Sequence, residues 1–174
     1  VDVGCIIQFT ETILITHKKG WNGINIDVSK FSVDLFNYLR PNDLNYNFAV
    51  SNKNKIVKLY FQKELSQLST IEYEQAKKFL QGKIKEKEIQ ALTLDEILSR
   101  DKYINKKIDF LNIDVEGADF KVLEGLSFEK YTPELICIEI HDKEIKNSKV
   151  YKLLINNNYK LIWSSIFSYI FQRI

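Results

Sequence analysis

The sequence contains few of the residues that mark exported, fibrous or membrane-embedded chains. It has two cysteines and two prolines among 174 residues. No apolar run reaches the roughly 20 residues that a transmembrane helix needs. The composition therefore argues against a disulfide-stapled scaffold and a Pro-rich linker. We expect no membrane span and a reducing, cytoplasmic setting, in which both cysteines, Cys5 and Cys137, are buried free thiols in apolar strand-like contexts.

The sequence also has no large excess of positive or negative charge. The 25 basic residues nearly balance the 23 acidic ones, which leaves a formal net charge of +2 and no reason to expect a nucleic-acid partner. Hydrophobic residues make up 45% and charged residues 28%, which is typical of one folded domain over residues 1–174. Methionine is absent and the first residues already look like part of a strand, so we expect further residues upstream of Val1.

One segment, residues 108–117, organises the rest of the chain. It begins Ile-Asp-Phe-Leu-Asn-Ile, a nearly continuous apolar run that is typical of a parallel strand covered by helices on both faces. The run ends in Asp114, Val115, Glu116 and Gly117, and helix-like spacing follows over residues 119–126. In open α/β sheets ligands bind beyond the carboxyl ends of the strands, so Asp114 and Glu116 lie where a ligand is expected.

Strand and helix patterns alternate along the rest of the chain, with an insertion at residues 52–94 before the fourth sheet strand. We predict a doubly wound α/β sheet that is mostly parallel, with a closing hairpin that makes one of its last strands antiparallel. The tryptophans, Trp21 and Trp163, are expected in the core. The predicted sheet strands are 1–4, 23–27, 46–50, 108–114, 134–141, 159–163 and 168–173; the helices are 9–19, 33–39, 119–126 and 150–155; the insertion holds strand 56–61, loop 65–70, helix 72–80 and strand 88–92.

If the first and fourth strands are neighbours, the turn after Gly4 and the turn at residues 114–117 face each other across the crevice of the sheet. Asp27 ends the second strand, so its carboxylate is expected near the same crevice. A nicotinamide dehydrogenase also uses a carboxylate at such a position, but the further glycines of its pyrophosphate turn do not follow Gly4.

Several segments in order resemble the FkbM family of S-adenosylmethionine-dependent methyltransferases. The most specific of them is Asp-Val-Glu-Gly at 114–117, together with Arg40-Pro41. The others are Asp2-Val3-Gly4, Gly-Trp-Asn-Gly-Ile-Asn-Ile-Asp at 20–27, Asn42-Asp43, Ala-Val-Ser at 49–51, Leu-Ser-Thr at 68–70, Leu-Thr-Leu-Asp-Glu-Ile-Leu at 92–98, the start of the central strand at 108–113 and Tyr-Thr-Pro-Glu-Leu-Ile-Cys-Ile-Glu at 131–139.

The resemblance implies a class I, Rossmann-like methyltransferase fold and O-methylation of a sugar, glycosylated or other natural-product hydroxyl. It implies S-adenosylmethionine as cofactor, with Asp2 and Gly4 in the turn that approaches its methionine part and Asp27 on its ribose. Ser51 would lie near the adenine, and Asp114 would border the cofactor as well as the acceptor. A carboxylate suits a ribose because its two oxygens accept from both hydroxyls.

The segment Cys5-Ile6-Ile7-Gln8 departs from the family pattern, which has small residues there. Adjacent isoleucines are bulky and stiff where backbone is expected to meet the cofactor. The alternative reading is therefore a degenerate member that keeps the fold as a binding protein and has lost cofactor binding.

Four side chains are candidates for the base that takes the acceptor's proton. We rank Asp114 first, then Glu116, then His141, with Glu139 also within the set. Glu116 has a second reading as an acid that stabilises the first turn of the following helix, and His141 a second reading as a hydrogen-bonded surface residue. The same four side chains could instead bind a divalent metal ion, but a cationic cofactor already accounts for acids at this edge, so no metal is assigned.

Overall fold

The computed structural model describes residues 1–4, 20–63, 68–100 and 106–174. The predicted helix at residues 9–19 lies outside the described residues. The seven strands of the main sheet are β1 (Asp2–Val3), β2 (Ile24–Ile26), β3 (Leu44–Tyr46), β7 (Phe110–Ile113), β8 (Leu135–Glu139), β9 (Tyr159–Ser164) and β10 (Ser168–Arg173). Their order across the sheet is β3-β2-β1-β7-β8-β10-β9.

The first and fourth predicted strands are neighbours in the sheet, which is the condition for a crevice between the turns that follow them. β1 pairs in parallel with β2 on one side and with β7 on the other, and β7 pairs in parallel with β8. β10 lies between β8 and β9 and is antiparallel to both. The predicted fold class, a mostly parallel Rossmann-like sheet with an antiparallel last strand, is confirmed. The two last strands form a hairpin, so β10 runs antiparallel to β9.

Five α-helices flank the sheets in the described ranges, and polar side chains begin three of them. Ser29, Thr93 and Ser148 accept hydrogen bonds from backbone N–H groups that have no partner within the helix. The first helix ends before Pro41, since proline disfavours helical geometry in the residue that precedes it. The helices are α1 (Lys30–Leu39), α2 (Tyr73–Phe79), α3 (Leu94–Ser99), α4 (Asp119–Glu124) and α5 (Lys149–Asn156).

The insertion and the two residues Ala49–Val50 before it build a second sheet of three strands, β4 (Ala49–Val50), β5 (Lys55–Phe61) and β6 (Lys85–Leu92), in the order β4-β6-β5. The prediction of one strand over 46–50 was wrong. Residues 44–46 pair with β2 in the main sheet, whereas Ala49 and Val50 pair with Ala91 and Leu92. Residues of a single apolar run can pair in two different sheets, because a strand-like sequence pattern indicates which residues are buried and not which strand they pair with.

The core lies between the main sheet and the elements that cover it. Residues of β1, β2, β7 and β8 such as Val3, Ile26, Ile113 and Ile138 are at most 2% exposed, as expected for parallel strands covered on both faces. The tryptophan prediction was wrong, because Trp21 and Trp163 are 45% and 51% exposed.

Cys137 is a half-buried free thiol on β8, and burial raises its pKa to about 11. The prediction for Cys5 falls outside the described residues. No helix in the described ranges is long and apolar enough to cross a membrane.

Candidate active site

The crevice forms where the carboxyl ends of β1, β2 and β7 meet. The Gly4 N–H donates to the Ile26 carbonyl at 2.8 Å, and the Asp114 N–H donates to the Val3 carbonyl at 3.0 Å. Gly4 has a φ of +88°, and a Cβ atom on it would lie 1.9 Å from the Asp114 carbonyl oxygen. The turn after β1 and the turn after β7 therefore touch backbone to backbone, and only glycine fits at position 4.

Apolar side chains from both sheets line most of the crevice, together with three acidic residues, Asp27, Asp114 and Glu116. The inserted sheet supplies one wall, so the ligand-binding surface is shared between the two sheets. The described lining residues are Val3, Gly4, Ile26, Asp27, Val28, Phe48, Ala49, Val50, Leu59, Ser69, Thr70, Ile71, Asp114, Val115, Glu116 and Ala118.

Asp27 follows β2 and is only 2% exposed. Its Oδ1 accepts a hydrogen bond from the Ser29 N–H at 2.6 Å, while its buried Oδ2 has no hydrogen-bond partner in the described part of the chain. Burial raises the pKa of Asp27 to about 6; the Ser29 hydrogen bond lowers it and the charge of Asp2 raises it. A buried oxygen of this kind is costly to the fold unless a ligand donates to it.

The acidic turn, residues 114–117, has an uncommon backbone. Glu116 has a φ of +53° and Gly117 a φ of +92°, so two consecutive residues are left-handed. Asp119 holds this turn from inside, because its Oδ1 accepts from the Val115 N–H at 3.2 Å and its Oδ2 from the Gly117 N–H at 3.0 Å. Asp119 is also the acidic residue in the first turn of α4.

Burial and mutual repulsion raise the pKa values of the acids in this turn. The pKa of Asp114 rises to about 7, chiefly through burial, with further contributions from Glu139, Glu116, Asp119 and Asp2. The pKa of Glu116 is raised by burial and by Glu139 and Asp119, against a lowering by His141. Burial also raises the pKa of Asp119 to about 6, although the hydrogen bonds that it accepts lower it. Asp114 therefore exchanges its proton near neutral pH, as a general base does.

Glu139 and His141 lie at the end of β8, beside this turn and outside the crevice lining. The His141 Nε2 is 3.3 Å from the Glu139 Oε2. The His141 ring lies 4.9 Å from the Phe167 ring and 6.4 Å from the Phe79 ring. Because 41% of the His141 side chain is exposed, its second reading as a paired surface residue is compatible with this position. Within the described ranges, no group of three or more His, Cys, Asp or Glu side chains is arranged to hold a metal ion.

Two expected cofactor residues, Ser51 and Asp2, each adjoin a crevice-lining residue without lining the crevice themselves. Ser51 is 1% exposed; its N–H donates to the Leu92 carbonyl, and its own carbonyl packs against Gly125. Asp2 accepts a hydrogen bond from the Asn112 Nδ2 at 3.0 Å. Neither is among the crevice-lining residues, so the structure brings together Gly4, Asp27, Asp114 and Glu116 but not Ser51 and Asp2.

Sequence reasoning missed three contributions to the site. Asp119 orients the acidic turn, Thr70 contacts it from the insertion, and Phe48 with Leu59 forms part of the apolar wall. The signal for Asp119 was present, since an acid two residues after Gly117 and at a helix start is well placed to accept from the turn's N–H groups. Thr70 belongs to the segment 68–70 of the family resemblance, but no local pattern signalled its contact with the turn, because its partner Glu116 is distant in sequence.

The raised pKa of Asp114 predicts a stability that falls as pH rises. The folded chain holds a proton on Asp114 between about pH 4 and pH 7 that the unfolded chain has released, so raising pH through this window lowers the free energy of unfolding. Over this pH range, the free energy of unfolding of Asp114→Asn should fall by about 1–3 kcal/mol less than that of the unmodified chain, a value that allows for the partial exposure of Asp114. Urea unfolding at pH 4 to 8 measures it. The exposed Asp142→Asn is the control, and an unchanged pH dependence in Asp114→Asn would contradict the prediction.

The model of the FkbM methyltransferase domain matches residues 3–161, which is most of the chain. Comparisons with curated proteins and with solved structures gave no match. The matched range contains both turns of the crevice, Asp27 and the whole insertion, and the strand order is that of a Rossmann-like methyltransferase sheet. The chain therefore belongs to the FkbM methyltransferase family.

Proposed function

We propose that this methyltransferase uses S-adenosylmethionine to methylate a hydroxyl oxygen of a sugar, a glycosylated compound or a related natural product in the cytoplasm. The observation that carries the proposal is the Oδ2 of Asp27, a crevice-lining residue: this oxygen is buried and has no hydrogen-bond partner in the described ranges. No nucleic-acid partner is proposed, because the formal net charge is only +2.

The residues of the crevice fit this cofactor. The Asp27 Oδ2 is free to accept from a ribose hydroxyl, and its Oδ1 is held in place by the Ser29 N–H. Phe48 and Leu59 provide apolar surface for an aromatic base. Asp114 and Glu116 suit a positively charged sulfonium, which would lower their raised pKa values in return.

When bound, S-adenosylmethionine supplies an electrophilic methyl group. The residues of this chain position the two reactants and accept the proton of the acceptor hydroxyl. The contact between Gly4 and Asp114 brings the two turns together, so that a ligand at one turn lies beside the carboxylates of the other. Alignment of two reactants in this way contributes on the order of 7–11 kcal/mol in favourable cases.

Asp114 is the proposed base for the acceptor hydroxyl. Its pKa of about 7 leaves a large fraction ionised at neutral pH and still makes it a better proton acceptor than an ordinary aspartate. Glu116 is the second candidate because it also lines the crevice. His141 is the third, and its Nε2 lies 3.3 Å from the Glu139 Oε2.

Asp27→Asn is expected to weaken the binding of both S-adenosylmethionine and S-adenosylhomocysteine about tenfold to a hundredfold. The amide keeps the shape of the carboxylate but replaces a charged acceptor with a neutral group, and a hydrogen bond to a charged group contributes about 1.5–3 kcal/mol. Isothermal titration calorimetry measures both affinities. Both ligands carry the ribose, so both should weaken alike.

Asp34→Asn is the matched control, because Asp34 lies on the helix that follows Asp27 and pairs with Lys30 at the surface. Equal affinities in Asp27→Asn and the unmodified chain would remove Asp27 from the cofactor site. No heat with either ligand at millimolar concentration in the unmodified chain would contradict the proposal itself and favour the cofactor-free binding protein suggested by Ile6 and Ile7, which lie outside the described residues.

Methyl transfer is tested with methyl-labelled S-adenosylmethionine and a panel of sugars, sugar nucleotides and glycosylated small molecules. Mass spectrometry should show one added methyl group on an acceptor oxygen. Methylation at nitrogen or carbon only would overturn the proposed acceptor chemistry while leaving the family assignment in place.

A further inference from the structure

We propose that Thr70 is a positioning residue that holds the acidic turn in its reactive geometry by anchoring the Glu116 carbonyl to the inserted sheet. This inference rests on the proposed function, because it concerns how the candidate carboxylates are oriented. Thr70 lies in the insertion, 5% exposed, and no role has been assigned to it above beyond its contact with the turn.

The two hydrogen bonds of the Thr70 hydroxyl allow only one assignment of donor and acceptor. Its Oγ1 is 2.9 Å from the Glu116 carbonyl oxygen and 3.1 Å from the Glu72 backbone nitrogen. The Glu72 N–H is a donor, so the hydroxyl accepts from it and gives its single proton to the Glu116 carbonyl. Thr70 therefore has no proton left for a ligand in the crevice, which separates positioning from direct binding.

Thr70 is itself fixed by the inserted sheet. The Tyr60 N–H donates to the Thr70 carbonyl at 2.8 Å, and the Thr70 N–H donates to the Tyr60 carbonyl at 3.1 Å. Tyr60 belongs to β5, which pairs with β6 in an antiparallel ladder from Lys55 to Phe61. The hydroxyl thus connects the Glu116 backbone to a hydrogen-bonded sheet and not to a free loop.

The helix that follows Thr70 reaches the same turn. A Cβ atom on Gly117 would lie 2.7 Å from the Gln75 Cγ, which shows how closely α2 packs on the turn. Lys121 of α4 pairs with Glu72 at 2.5 Å. These contacts place Thr70 at the centre of the junction between the insertion and the strand that ends at Ile113.

The turn needs such an anchor because of its backbone. Glu116 is left-handed, a conformation that residues with a Cβ atom adopt infrequently. A hydrogen bond at its carbonyl restricts rotation of the peptide unit between Glu116 and Gly117. Loss of that bond would let the turn relax and would change the directions in which the Asp114 and Glu116 carboxylates point.

Thr70→Val and Thr70→Ser separate the hydroxyl from the shape of the side chain. Thr70→Val, which keeps the shape, is expected to lower kcat about three- to tenfold, to change the KM for S-adenosylmethionine less than twofold and to shift the pH midpoint of kcat/KM. Thr70→Ser, which keeps the hydroxyl, should restore kcat to within about twofold. Normal kcat and pH midpoint in a folded Thr70→Val chain, or an equal loss in Thr70→Ser, would overturn the proposal.

A measurement on the unmodified chain covers the case in which Thr70→Val fails to fold. The Thr70 hydroxyl proton should be visible by NMR, protected from exchange, with a nuclear Overhauser contact to the amide proton of Glu72, whose nitrogen lies 3.1 Å from the Thr70 Oγ1. A rapidly exchanging hydroxyl would overturn the inference. If the unmodified chain transfers no methyl group, the proposed function fails on that result alone, and the NMR measurement still decides whether Thr70 fixes the turn.

Discussion

Asp114→Asn is expected to lower kcat/KM for methyl transfer about a hundredfold to ten-thousandfold, the usual contribution of a positioned general base. Asp114 lies directly after β7, in backbone contact with Gly4, and lines the crevice. Asparagine keeps nearly the same volume and the same backbone contacts but cannot take a proton. The effect should therefore appear in the rate, while S-adenosylhomocysteine, which lacks the sulfonium charge, still binds.

The pH profile gives a second, independent readout of Asp114. Because burial and the neighbouring carboxylates raise its pKa to about 7, kcat/KM for S-adenosylmethionine, which reports the ionisation of the chain before the cofactor binds, should rise with pH and level off above about pH 7. This rise should vanish in Asp114→Asn. The exposed Asp142→Asn should keep both the rate and the rise. If Asp114→Asn retains the rate and Glu116→Gln loses it, the base is Glu116 instead.

Gly4→Ala is expected to lower the free energy of unfolding by about 2–5 kcal/mol and to abolish cofactor binding. Two costs add in this variant: the left-handed backbone is unfavourable for alanine by about 1–2 kcal/mol, and overpacking against the Asp114 carbonyl adds about 1–3 kcal/mol. The overlapping atom belongs to the backbone of a buried strand end, so it has little freedom to move. Urea unfolding and calorimetry with S-adenosylhomocysteine measure the two effects.

Gly20→Ala isolates the contribution of the close contact. Gly20 is also left-handed, with a φ of +66°, but a Cβ atom there would meet nothing within 4 Å. It should therefore lose only the conformational part, about 1–2 kcal/mol. Equal losses in the two variants would show that the contact between the two turns contributes nothing to stability.

Much of the main sheet could be predicted because its signals are local. Apolar runs at β7 and β8 mark strands that are covered on both faces, and the closing pair at 159–163 and 168–173 appears where it was expected. The helix predicted over 33–39 begins earlier, at Lys30, because the Ser29 side chain accepts from the Ser32 N–H. The insertion was recognised as a break in alternation, but its pairing with Ala49 and Val50 was not.

Part of the site was predictable for the same reason. Gly4, Asp27, Asp114 and Glu116 each stand at a strand end, and strand ends of a parallel sheet meet at one edge. Ser51 was expected there too; Ala49 and Val50 before it do line the crevice, but Ser51 itself does not, and its carbonyl packs against Gly125. The tryptophans were misjudged because hydrophobic size alone does not determine burial.

The amino-acid sequence by itself determined the alternation of strands and helices, and with it the edge at which Asp27 and Asp114 meet, because both follow from periodicity and from short-range capping. Only the tertiary structure decided which carboxylate oxygen is left without a partner in the described ranges, which acid has a pKa near 7, and how Thr70 reaches Glu116. Those properties depend on burial and on contacts between residues far apart in the chain, and no local pattern of side chains specifies them.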